Sequence, residues 1–180
     1  MNVSVIVPAF NAAATLDDCL AAVTAQTLPR QLYEVIVVDD GSSDETAQIA
    51  SRHGVRVLRQ ANAGQAAARN RGVQEARGEI VAFTDADCAP SPQWLAELTA
   101  PFADADIAGS KGAYRTRQRS LAARFAQVEY EERYARMSRV RYIDFVDTYS
   151  AAYRRSVFVA NGGFDPSFPG DASGEDQEFS

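Results

Sequence analysis

Two carboxylates set one residue apart, Asp85 and Asp87, follow the apolar run IVAF within the stretch IVAFTDADCAP, residues 80–90. Like charges this close repel unless something positive sits between them, and no basic residue lies close to them in the sequence. A hard divalent cation relieves the repulsion. Mg²⁺ binds through one or two carboxylates while substrate phosphates complete its shell, so the pair could hold a metal–diphosphate complex. The competing reading is a turn that solvates a strand end, where aspartate is common. Other residues with this potential close neighbouring runs: Pro8, Ala9 and Asn11 after VSVIVP, and Asp39 and Asp40 after EVIVV.

The elements that must position them are legible as periodicity. β-rich runs at 3–8, 34–40, 55–58 and 79–85 alternate with helical patterns near 15–26, 44–53, 65–76 and 92–102, the βαβα order of a mainly parallel sheet flanked by helices. In such sheets ligands bind beyond the carboxyl ends of the strands. Ser42 with Glu45 and Thr15 with Asp18 have capping-box spacing, and Ser91 before Pro92 reads as an N-cap. A further strand is expected at 147–155, then a helical turn and a GGF turn at 162–164.

Composition narrows the function. The chain has 180 residues, 46% of them hydrophobic, enough for one core. Its net charge of −6 argues against nucleic acid as a partner. The charge is uneven: residues 115–141 hold eight arginines against three glutamates, a local +5 that leaves −11 for the remainder. A long amphipathic helix is expected over 117–141, with Leu121, Phe125 and Val128 on one stripe and Ala126, Tyr130, Tyr134 and Met137 on another. It is either a core-packing helix with a solvated arginine face or a helix against an anionic membrane surface or acidic partner. Neither a signal peptide nor a membrane span is read, so the expected location is cytoplasmic, with peripheral contact at the cytoplasmic face of the membrane as the refinement. Cys19, Cys88 and His53 are read as structural.

Rival nucleotide folds fail on position. The first run is not followed by G-x-G-x-x-G, and G-K-[ST] occurs nowhere. A phosphatase or receiver domain would place its acidic pair after the first strand.

Taken in order, VSVIVPAFNAAATLDDCLAAVTAQT, EVIVVDDGSSDET, NAGQAAARNRGVQEARGEIVAFTDADC, GGFDPSF and GED resemble the family 2 glycosyltransferases, inverting enzymes of the GT-A fold with a Rossmann-like nucleotide-binding core. The resemblance implies a nucleotide-sugar donor, expected to be UDP-linked, and Mg²⁺ or Mn²⁺. It assigns Pro8, Ala9, Asn11, Asp39 and Asp40 to the nucleoside, with Asp40 suited to the N3–H of uracil, and Gly64 and Arg69 to the donor site. Asp85 faces the ribose or donor sugar, or shares the cation, and Asp87 ligates it. Asp176, beside Glu175, matches the family's general base. The expected acceptor is a saccharide or lipid-linked hydroxyl. The whole chain reads as one GT-A domain, C-terminally truncated, with 1–111 as the nucleotide-sugar part and 112–180 as the acceptor side. The alternatives are a nucleotide-sugar-binding or partner-interaction fragment without turnover, and a nucleotidyltransferase, which usually opens with a Gly-rich basic phosphate loop that VPAFNAAAT lacks.

Overall fold

The computed structural model describes residues 2–113, 115–116, 120–140, 142–143 and 148–167. Six strands form one sheet: β1 (Val3–Ala9), β2 (Tyr33–Asp39), β3 (Arg56–Arg59), β4 (Ile80–Phe83), β5 (Gly109–Lys111) and β6 (Ala151–Arg154), in the order β3-β2-β1-β4-β6-β5. The helices are α1 (Leu16–Thr24), α2 (Thr46–Arg52), α3 (Gln65–Glu75), α4 (Trp94–Thr99), α5 (Leu121–Met137) and α6 (Arg155–Ala160). The first four strands are parallel, while β6 runs antiparallel to both β4 and β5. This is the mixed, mostly parallel GT-A sheet.

Why the strands read as apolar runs is clear from the packing. Val3, Val5 and Val7 point to one face, against Leu16, Leu20 and Val23 of α1, Ile49 of α2 and Leu95 and Leu98 of α4. Ile6, Ile36, Val38, Val81 and Phe83 fill the other, under Ala66, Ala68 and Val73 of α3 and Phe158 of α6. Parallel strands covered on both faces lose the polar alternation of half-exposed ones. Pro8, an unusual residue for a central strand, lies past the Ile6↔Phe83 pair that ends the β1–β4 ladder.

β5 is an element the sequence did not announce. It is three residues, Gly-Ser-Lys, held by β6 from 40 or more positions later: Gly109 opposes Tyr153 and Lys111 opposes Ala151. The expected strand at 147–155 is shorter, with a 3-10 turn at Thr148–Ser150 in front of it.

The expected caps are corrected. α2 starts at Thr46 with Glu45 at its N-cap position, and the Ser42 hydroxyl instead accepts from the Asn11 N–H at 2.9 Å. Thr15 makes no side-chain capping bond, and α4 starts at Trp94 with Gln93 as its N-cap residue, two residues past the expected start. At Ser42 the loop that approaches across the sheet edge out-competes the local partner. α5 also departs from the core-packing reading: its Leu121, Phe125 and Val128 are 83%, 70% and 53% exposed.

Candidate functional site

At the carboxyl edge of the sheet, the loop after β1 and the loop after β2 are sewn together. Asn11 accepts from the Ser43 N–H at 2.9 Å, the Ala12 N–H donates to the Thr46 hydroxyl at 2.8 Å, and the Ala13 N–H donates to the Asp44 carboxylate at 3.0 Å. The Thr46 hydroxyl, with the Ala13 and Thr46 N–H groups, holds the Asp44 pKa below its usual value. Asn11 takes a left-handed φ of 48°, which asparagine tolerates better than most residues. The predicted Pro8 and Ala9 lie buried just before this clasp, with Asn11 inside it.

Asp39 and Asp40 are adjacent and differ in role. Asp39 is fully buried; it accepts from the Ser42 N–H at 3.0 Å and from Arg59 Nε at 2.9 Å, so both oxygens are engaged by the protein. Asp40, 3% exposed, turns toward the segment before α3. Its Oδ1 accepts from Gln60 Nε2 at 2.7 Å and the Ala63 N–H at 3.0 Å, and its Oδ2 accepts from the Gly64 N–H at 2.8 Å. A carboxylate has about four acceptor positions, so the one still open is on Oδ2, beside Gly64. Two glycines make this turn: Gly41, at φ 81°, whose added Cβ would lie 2.8 Å from the Asn62 nitrogen, and Gly64, at φ 89°.

The positive group beside Asp85 comes from α3. Arg69 is 1% exposed, and its Nη2 donates to Asp85 Oδ1 at 2.9 Å. Its guanidinium also lies 5.7 Å from the centre of the Phe164 ring. Asn70 anchors that ring's backbone, donating to the Phe164 carbonyl at 2.6 Å and accepting its N–H at 2.9 Å. The GGF turn is thereby docked on α3. Asp87, by contrast, is exposed and, among the described residues, receives only a weak contact from the Cys88 thiol at 3.6 Å.

Asp87 borders a cavity of about 710 Å³ whose other walls include Thr84, Trp94, Arg115, Thr116 and Tyr149. These last residues went unnoticed in the sequence; the only tryptophan, seven positions after Asp87, was the available signal. Trp94 donates to the Ser150 hydroxyl at 2.9 Å, joining α4 to the turn before β6. Cys19 and Cys88 also line the cavity; burial first, then Cys88 and the Asp85 and Asp87 carboxylates, pushes the Cys19 thiol up to about 12, and burial, then the same two carboxylates, does the same to Cys88. They stay protonated, in keeping with a structural role. His53 meets Asp17 at 2.9 Å.

Among the described residues no cluster of three or more His, Cys, Asp or Glu forms a ready-made metal cage. The donor set still fits a hard cation held jointly with a substrate, because such an ion needs one or two protein carboxylates and takes its remaining oxygens from phosphate and water. Arg69 pairs with Asp85, and Asp87 is the exposed carboxylate of the two. Glu175 and Asp176 lie outside the described residues.

The mixed six-stranded sheet flanked by helices, with acidic residues at its carboxyl edge, has the GT-A architecture. The profile of glycosyl transferase family 2 matches residues 4–160, and the chain belongs to that family. Glycosyltransferase AglE of Haloferax volcanii is 44% identical over 99 residues, which are 52% of this chain and 33% of that protein. The solved mannosyltransferase PcManGT from Pyrobaculum calidifontis, in complex with GDP-Man and Mn²⁺, superposes with a TM-score of 0.76 at 26% identity, covering 99% of this chain and 50% of that one. S. aureus TarS 1-349 in complex with UDP shares the fold at a TM-score of 0.76 and 24% identity, covering 99% and 54%. The chain thus spans about half of these solved relatives and a third of AglE.

Proposed function

We propose that this chain binds a nucleoside-diphosphate sugar, UDP-linked, at the carboxyl edge of β1, β2 and β4 and transfers the sugar with inversion to an acceptor hydroxyl. The observation that carries the reading is the Arg69–Asp85 pair, which leaves Asp87 as the exposed carboxylate of the two. The open acceptor position of Asp40 suits an N–H of the base, present in uracil and in guanine and missing at N3 of cytosine. Asp39 and Asn11 shape the loops beneath it, and Pro8 and Ala9 form its floor. Asp85, oriented by Arg69, would face a hydroxyl of the ribose or donor sugar.

Asp87, with Asp85 next to it, would hold the Mg²⁺ or Mn²⁺; when bound, such an ion neutralises the diphosphate and the charge that grows on it as the glycosidic bond breaks. The acceptor oxygen attacks the anomeric carbon from the face opposite the diphosphate, and the carbon–oxygen bond to phosphate breaks. The acceptor's proton passes to Asp176, assisted by Glu175, and the nucleoside diphosphate departs with the bonding electron pair. The acceptor is a saccharide or a lipid-linked hydroxyl.

Titration of UDP with and without Mn²⁺, in the parent and in Asp87→Ala, tests the reading. Affinity in the parent should depend on Mn²⁺ and lose that dependence in the variant, whose exposed position should leave the unfolding midpoint unchanged. Equal affinity in all four titrations refutes it.

A further inference from the structure

Buried hydroxyls in this chain are engaged by the fold. Ser4 donates to Glu34 at 2.7 Å, Thr99 to the Leu95 carbonyl at 2.7 Å and Ser110 to the Leu98 carbonyl at 2.6 Å, while Ser150 accepts from Trp94 at 2.9 Å. Thr84 is different. It is 1% exposed, and its hydroxyl oxygen is enclosed with no hydrogen-bond partner among the described residues.

Its place in the sheet brings that hydroxyl to the candidate site. The Thr84 N–H donates to the Ile6 carbonyl at 3.3 Å, which carries the β1–β4 ladder one residue past the end of β4. Side chains alternate along this edge: Ile80 and Ala82 pack with α1 and α4, Val81 and Phe83 with α3 and α6. Thr84 continues the first face and borders the Asp87 cavity together with Cys19 and Trp94. Asp85 takes the other face, where Arg69 of α3 meets it. Folding gives no reason for the oxygen, because valine has the same shape and leaves no polar atom to desolvate. A ligand does give one. A threonine hydroxyl both donates and accepts, as a sugar hydroxyl does, and a turn about χ1 exchanges its hydroxyl and methyl positions.

We propose that Thr84 binds the donor sugar, its hydroxyl sharing a hydrogen bond with a hydroxyl of that sugar. The inference rests on the donor-site reading above: with the diphosphate held at Asp87, the sugar is one phosphate–oxygen–carbon link away, and Thr84 lies three residues before Asp87 on the wall of the same cavity. It gives the site a contact that reads the sugar separately from the nucleotide.

The experiment is titration of UDP, UDP-glucose, UDP-galactose and UDP-N-acetylglucosamine, each with Mn²⁺, into the parent, Thr84→Val and Thr84→Ser. Thr84→Val should bind UDP as the parent does, and should bind the parent's tightest UDP-sugar about tenfold more weakly, the effect of one lost hydrogen bond that leaves a sugar hydroxyl unpaired. Thr84→Ser, which keeps the hydroxyl, should restore the parent's affinity. The unfolding midpoint of Thr84→Val should equal the parent's or exceed it, because an unpaired buried hydroxyl is removed at constant shape. Unchanged UDP-sugar affinity in Thr84→Val, or an equal loss for UDP and UDP-sugar, would overturn the proposal. A lower midpoint would do so too, since the hydroxyl would then serve the fold, through a buried water. So would a parent that binds UDP and none of the three UDP-sugars. In each of these cases Mn²⁺-dependent UDP binding by the parent leaves the donor-site reading standing, whereas a parent that does not bind UDP sinks that reading and this inference with it.

Discussion

Replacing Asp40 by asparagine changes one atom group and should be costly. The carboxylate serves three donors, Gln60 Nε2, the Ala63 N–H and the Gly64 N–H, from a position only 3% exposed. An amide accepts through one oxygen. If that oxygen keeps Gln60 and Ala63, the new NH₂ confronts the Gly64 N–H, donor against donor, and the helix N-terminus of α3 loses an adjacent negative charge. The orphaned Gly64 donor costs about 2 kcal/mol, and each surviving bond drops from charge-assisted to neutral strength, about 0.5 kcal/mol apiece, for a total of about 3 kcal/mol. At ~3 °C per kcal/mol for a chain of this size, the thermal midpoint should fall by about 9 °C. Thermal and urea unfolding of Asp40→Asn, with Gln60→Ala as a one-bond reference losing about 1 kcal/mol, measure it. UDP affinity should fall as well, because the open Oδ2 position becomes a donor. A midpoint within about 2 °C of the parent would refute the reasoning, since it would mean the three bonds do not converge on one charged acceptor.

Arg69→Met should destabilise by about 3 kcal/mol, the lower end for a broken buried pair because Asp85 keeps 25% side-chain exposure. Adding Asp85→Asn should restore about 1 kcal/mol of that in urea unfolding, and strict additivity of the two changes would exclude the coupling. The Asp44 clasp gives a pH signature. A carboxylate whose folded-state pKa is depressed contributes stability that is fully present above its unfolded value near 3.8 and is lost as pH falls through the lower folded value. Asp44→Asn should therefore flatten the acid limb of the stability profile below about pH 4 and leave the slope near neutrality unchanged.

The mostly parallel sheet was open to reading because both faces of the parallel strands are covered, so β1, β2 and β4 are continuous apolar runs whose ends point to one edge. The acidic residues at that edge and the family motifs could be named from the sequence. β5 could not: Gly-Ser-Lys carries no apolar period and becomes a strand only because β6 arrives beside it. Capping boxes at Ser42 and Thr15 were sound local patterns, yet Ser42 bonds to Asn11, 31 residues away, since the folded loops bring a backbone donor closer than the helix end. The same holds for the cation missing beside Asp85, which is Arg69 on α3. The two stripes of α5 were visible as periodicity, but which one faces the protein was decided by Tyr149 and Thr116, which bond Tyr134 and Gln127. Periodicity is a property of neighbours along the chain and survives in the sequence. The choice among competing hydrogen-bond and charge partners depends on distances that exist only after β1, β2, β4 and α3 have packed.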